Sequence, residues 1–167
     1  MLYMEDIYQT NSLSFKNKKD GLINFRTVSY VLGILVLVEA GLFVICAGIS
    51  AIYHESSYIC FVWAILINIG IGGVMILAGN RKSNIVSRRD GYCIVSISWI
   101  LFTLLGMLPF YLSGYIPSVT DAFFETMSGF TTTGATILND IESLPHGLLF
   151  WRSFTQWIGG LGIVLFT

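Results

Sequence analysis

Charge is the first thing this sequence lacks. Only 11% of its 167 residues are Asp, Glu, Lys or Arg, less than half of the roughly 25% of a soluble domain. A chain this poor in charge cannot clothe the surface of a water-soluble globule. Its formal net charge of −1 supplies no basic face, which excludes nucleic acid as a partner. The two histidines, His54 and His146, stand far apart in the chain and without ligand spacing, which excludes a zinc-type site. Cys46, Cys60 and Cys93 are odd in number, lie in apolar stretches and form no CxxC pair. They read as small packing residues, not as a disulfide framework or a metal site.

What the sequence does have is apolar residues, 54% of the chain, gathered in runs. Thr27 to Tyr53 contains one charge, Glu39, and Tyr58 to Gly79 contains none. Tyr92 to Leu112 is a third such run, with Pro109 near its end, where a missing N–H does least harm. Each reaches the roughly 20 residues that a helix needs to cross a bilayer core. Residues 1–26 are polar and have no short apolar core with a cleavage site, so they read as a tail and not as a signal peptide. Residues 80–91 are a polar, basic loop. Of the nine Lys and Arg, Lys16, Lys18, Lys19 and Arg26 precede the first run, and Arg81, Lys82, Arg88 and Arg89 separate the second from the third. If both runs cross, all eight lie on one side, and the positive-inside rule places the N-terminus in the cytoplasm. Arg152 alone stands outside this scheme.

The fourth segment is of another kind. Ser118 to Phe130, "SVTDAFFETMSGF", has helical character and a Ser118–Asp121 start signal. At 1.5 Å per residue it reaches only about 20 Å, too short to cross. "TTTGAT" follows, then a loop-like stretch, then an apolar run from about Leu148 that stops at Thr167 without a polar flank, as in a fragment of a longer chain. Non-helical backbone at membrane depth is tolerated only where it is buried in protein or lines a wet cavity. Extended backbone there can aim its carbonyls at a dehydrated cation. Threonine hydroxyls add oxygen, glycine frees the backbone, and the negative end of the preceding helix favours a cation at the same place. Arg152 and Gln156, four apart and so on one helix face, can turn to the loop and donate to its carbonyls or to Glu125. Glu39, mid-run, is expected to have a structural role with a partner such as Asn68. "GGLG", Gly159 to Gly162, reads as a close-packing surface, and Trp151 as an interface anchor. No nucleophile–base pair or metal-ligand cluster falls at membrane depth, so the chain does not read as an enzyme.

Three stretches together carry a family resemblance: "LPFYLSG" at Leu108–Gly114, "DAFFETMSGFTTTGAT" at Asp121–Thr136, and "LPHGLLFWRSFTQWIGGLGIVLF" at Leu144–Phe166. They resemble the first pore repeat of the Trk/Ktr/HKT superfamily of potassium transporters, in its bacterial TrkH-like branch. The two leading runs, 27–79, are similar to the helix pair that precedes that repeat. The resemblance implies an all-α polytopic membrane protein with a potassium-channel-like fold. Residues 92–167 would be one helix–pore loop–helix repeat: outer helix 92–112, pore helix 118–130, filter 131–135, then the inner helix. It implies K+ uptake across a bacterial inner membrane. The backbone carbonyls of Thr131, Thr132, Thr133 and Gly134 would be the ion ligands, K+ the transported ion and no cofactor required. Arg152, Gln156 and Glu125 would support the filter. The family's partners are the lipid bilayer, a second copy in a dimer and a cytosolic nucleotide-binding ring. Its members carry four repeats in one chain where this sequence holds one. The alternatives for so short a chain are a homotetrameric pore-loop channel or a non-transporting membrane component.

Overall fold

The computed structural model describes residues 24–79 and 88–166. Most of the tail and most of the basic loop lie outside these residues. Among the described residues all regular structure is helical: α1 Phe25–Ile52, α2 Tyr58–Ala78, α3 Arg88–Gly106, α4 Leu108–Leu112, α5 Val119–Phe130 and α6 His146–Phe166. The segments Phe25–Ile52, Tyr58–Ala78 and Arg89–Leu112 are long and apolar enough to cross a membrane.

The helices α1 and α2 form an antiparallel hairpin. Asn24 caps α1 by accepting from the Thr27 N–H at 3.4 Å. Where lipid tails are as apolar as the side chains, association rests on close packing and internal hydrogen bonds. Small residues supply the closeness. A Cβ placed on Gly33 would lie 2.9 Å from the Gly72 carbonyl oxygen, so the two backbones nearly touch. Ser29 adds a hydroxyl bond of 2.9 Å to the Met75 carbonyl. The outward faces keep large apolar side chains exposed, among them Val44, Trp63 and Leu66, as a lipid-facing surface requires.

The third apolar run is not one helix. It starts at Arg88 and breaks at Met107, with α4 taking up the remainder. Pro109 has no N–H to give the Leu105 carbonyl, and its ring disfavours a continuous helix. Trp151 of α6 satisfies an acceptor at the break, its indole N–H donating to the Gly106 carbonyl at 2.8 Å. Trp151 is therefore a core residue and not an interface anchor. It is fully buried and meets Phe43 of α1 edge-on at 4.6 Å. Phe130, at the end of α5, packs edge-on against Trp151 from another side.

The short α5 lies against α6 through two glycines. A Cβ on Gly129 would collide with the Thr155 hydroxyl, and one on Gly159 would collide with the Phe130 carbonyl. Thr155 and Gly159 are four apart on α6, one above the other on the face that receives α5. Gly160, one residue on, has only Thr132 Cγ2 near it, at 3.9 Å. Gly159→Ala is therefore expected to destabilise the chain by roughly 1–3 kcal/mol through overpacking, and Gly160→Ala to be near neutral. Thermal unfolding of the two variants in detergent checks this. Equal melting temperatures would show that the crossing has room to spare.

Candidate ion-binding site

At about 1.5 Å per residue, α5 reaches only about 18 Å. Its start is fixed by Ser118, whose hydroxyl accepts from the Asp121 N–H at 3.4 Å. Its end is unusual. The N–H groups of the next four residues all turn back onto its last turn. Thr131 donates to Met127 O at 2.8 Å, Thr132 to Gly129 O at 2.9 Å, and Thr133 and Gly134 both to Ser128 O at 3.0 and 3.3 Å. Every backbone donor of Thr131–Gly134 is thus spent inward. Residues 131–137 are exposed, so the free edge of this segment offers carbonyl and hydroxyl oxygens. The Thr131 and Thr133 hydroxyls lie 2.9 Å apart on it. Two of its residues are left-handed, Thr132 at φ +57° and Gly134 at φ +73°. Glycine bears that conformation freely, whereas a β-branched threonine is strained there.

The return strand of the loop is held by one carboxylate. Glu125 of α5, 2% exposed, accepts from the Thr136 hydroxyl at 3.0 Å and the Ile137 N–H at 3.1 Å. It also accepts from Arg152 Nε of α6 at 2.6 Å. The arginine that no sidedness rule accommodates is therefore the partner of the α5 glutamate. Gln156, one turn further along α6, places its amide nitrogen 3.4 Å from where a Gly134 Cβ would stand, so it lies behind the glycine without bonding it. Ser128 adds a hydroxyl bond of 2.6 Å to the Ala135 carbonyl.

A second cluster ties α6 to the leading hairpin. Glu55, in the turn between α1 and α2, accepts from the His146 N–H and from His146 Nδ1, both at 2.7 Å. It also accepts from the Gly147 N–H at 3.4 Å and the Ser57 hydroxyl at 3.2 Å. It thereby caps the N-terminus of α6, where a carboxylate is favoured. Tyr53 stacks on the His146 ring at 4.0 Å. Partial burial pushes the Glu55 carboxyl up, but the hydrogen bonds from His146, Gly147 and Ser57 outweigh it and hold the group below its ordinary 4.5.

Glu39 does not pair with Asn68. Asn68 turns its amide onto its own helix, donating to Ala64 O at 3.0 Å. Glu39, 2% exposed, lies instead against Gly106, and neither of its oxygens meets a donor among the described residues. Among those residues no group of three His, Cys, Asp or Glu side chains gathers as metal ligands. Sequence reasoning overlooked Glu55 and Thr136, and considered Ser128 only beside His146 as a nucleophile and base, whereas Ser128 bonds Ala135 and His146 bonds Glu55. The charge of Glu55 in a four-residue polar break was a signal. Thr136 belongs to the "TTTGAT" run but was not singled out.

Residues 57–167 match the TrkH family model, described as a cation transport protein. The chain belongs to the TrkH family. It is 35% identical over 144 residues to the Trk system potassium uptake protein TrkH of Salmonella typhimurium, covering 86% of this chain and 30% of that protein. It is 31% identical to an uncharacterised cation transporter of Methanocaldococcus jannaschii, covering 83% and 29%. The crystal structure of the potassium transporter TrkH from Vibrio parahaemolyticus superposes with a TM-score of 0.78 at 34% identity, covering 84% of this chain and 30% of that one. The chain thus spans about a third of the length of these relatives. Its family is one of membrane transporters and not of enzymes.

Two outcomes follow from the charged clusters. Arg152→Ala leaves Glu125 buried without its cation, and breaking such a pair costs about 3–5 kcal/mol, so a lower melting temperature and lower transport by the full-length protein are expected. Unchanged stability and uptake would remove Arg152 from the site. For Glu55, a lowered folded-state pKa means that its stabilisation is complete above the ordinary carboxyl value and lost as pH falls through the folded value. The melting-temperature gap between the parent chain and Glu55→Ala is therefore expected in full at neutral pH and should narrow as the pH is taken below the ordinary carboxyl value. A gap that does not change with pH would contradict the clamp.

Proposed function

We propose that this chain contributes to K+ uptake across the cell membrane, with the backbone carbonyls of Thr131, Thr132, Thr133 and Gly134 replacing the ion's water shell. The observation that carries this reading is the spending of all four backbone N–H groups on the last turn of α5. An exposed edge with its backbone N–H groups turned inward presents carbonyl and hydroxyl oxygens, the chemistry of a hard-cation ligand, and the Thr132 hydroxyl that now donates to the Thr131 carbonyl at 2.7 Å would turn away for the ion. The helix whose negative end points at that edge adds to the attraction, and the buried Glu125–Arg152 pair holds the edge in place. The potassium uptake named for the Salmonella and Vibrio relatives agrees with this chemistry.

In this reading residues 92–167 form a first pore repeat and 27–79 a leading helix pair, with the N-terminus in the cytoplasm of a bacterial inner membrane. Arg26 and Arg89, both exposed, lie at the end where the Asn24 N–H donates to Asp90 Oδ1 at 3.0 Å. The Glu55–His146 cluster lies beyond the opposite end of α1. This charge asymmetry supports the orientation. A homodimer and a cytosolic nucleotide-binding ring belong to the same reading by family membership. Movement follows the electrochemical gradient, and the protein supplies dehydration and selection without any chemical step.

Gly134→Ala tests the reading. An L-residue at φ +73° is strained, and its Cβ would press toward Gln156. Uptake of Rb+ by the full-length protein in cells lacking their own K+ uptake is expected to fall roughly tenfold at equal membrane level. Undiminished uptake would reject Gly134 as a filter residue.

A further inference from the structure

The hydroxyl of Ser128 has no place in the filter as described so far. Ser128 lies in the last turn of α5 and is 6% exposed. Its carbonyl oxygen already takes the Thr133 and Gly134 N–H groups. Its side chain does something different, donating to the Ala135 carbonyl at 2.6 Å. The carbonyls of Thr131, Thr132, Thr133 and Gly134 belong to residues whose donors all turn to α5. Ala135, next in the chain, has its acceptor turned to α5. The direction of the backbone groups thus reverses between Gly134 and Ala135, at the residue with φ +73°. One amino acid sits on both sides of that reversal, with its backbone oxygen holding the last two N–H groups before it and its hydroxyl holding the first carbonyl after it.

We propose that Ser128 is a positioning residue that limits the set of ion-coordinating carbonyls, by holding the Ala135 carbonyl against the pore helix and away from the ion path. The inference rests on the K+ reading above and deepens it. A carbonyl released at the edge of a filter is a loose additional oxygen. Loose ligands close around a smaller ion as readily as a larger one, so freeing Ala135 weakens discrimination against Na+. The substitution Ser128→Ala removes the hydroxyl alone. Both backbone bonds to Thr133 and Gly134 remain, and so does the Glu125 clamp.

The test is paired uptake of Rb+ and Na+ by the full-length protein in proteoliposomes, at equal protein content. The Rb+ to Na+ ratio is expected to fall roughly fivefold or more in Ser128→Ala, the weight of one hydrogen bond, and to recover in Ser128→Thr, which keeps the donor. A ratio equal to the parent's overturns the inference, as does a lowered ratio that Ser128→Thr fails to restore. If the alanine variant does not reach the membrane, Ser128→Cys keeps the size and weakens the donor, and is read by the same ratio. A parent that takes up neither ion overturns the K+ reading and this inference with it. A selective parent with an unchanged variant overturns this inference alone.

Discussion

A buried carboxylate holds the functional end of this chain together. Glu125 is 2% exposed, and its two oxygens gather a hydroxyl, a backbone N–H and a guanidinium from the return strand and from α6. A charge at that depth is tolerable only when paired and fully hydrogen-bonded. The need to satisfy it therefore fixes three things together: the register of α5, the approach of α6, and the height at which the loop turns back. Replacing the pair with apolar side chains would remove the cost of burying charge, yet the bonds that hold Thr136 and Ile137 to α5 would go with it. The pair is a device for geometry more than a source of stability.

The rest of the molecule meets the same constraint, that no backbone polar group goes unsatisfied in lipid. Where α3 breaks before Pro109, the indole of Trp151 donates to the Gly106 carbonyl. Where α6 begins, Glu55 caps its first N–H groups from the leading hairpin. Where α5 ends, the Thr131–Gly134 segment caps it with four N–H groups. The first two reach across elements, so the leading hairpin is part of the frame that positions α6. Side chains are less fully satisfied: among the described residues both carboxylate oxygens of Glu39, the Thr27 hydroxyl and the Asn68 amide oxygen are buried without a partner.

The architecture was legible in the sequence because hydrophobic length is a strong signal in a chain with so little charge. The motif from Asp121 to Thr136 was legible because its length and order, a short helix, then Thr-Gly, then a span, are rare together. What escaped was rotation. Helices α1 and α2 are apolar on every face, so their sequences do not say which side meets which neighbour. That is why the sequence pairs Glu39 with Asn68 when it faces Gly106; on α6, a tryptophan near the start of an apolar run reads as an interface anchor, yet Trp151 fills the core. Long-range bonds were equally hidden, since Glu55 and His146 meet across 91 residues. The Arg152–Glu125 pair, 27 residues apart, was within reach because an unexplained cation in an apolar run demands an anion nearby.

The exposed edge at 131–137 carries one further consequence. Its backbone donors from Thr131 to Gly134 are all consumed, so two such edges brought face to face have no N–H to share through these residues. Carbonyl dipoles aimed at one another repel. Only something with positive charge or with donors of its own can sit between them, which at membrane depth means a cation, water or a donor side chain. On the proposed reading the ion is therefore more than cargo. It is the component that makes several carbonyl-lined edges compatible around a common axis. Discrimination then depends on how rigidly each edge keeps its oxygens at the distance that suits K+. On the same reading that rigidity comes from behind the segment, from Ser128, Glu125 and Arg152, and not from the threonines that would touch the ion.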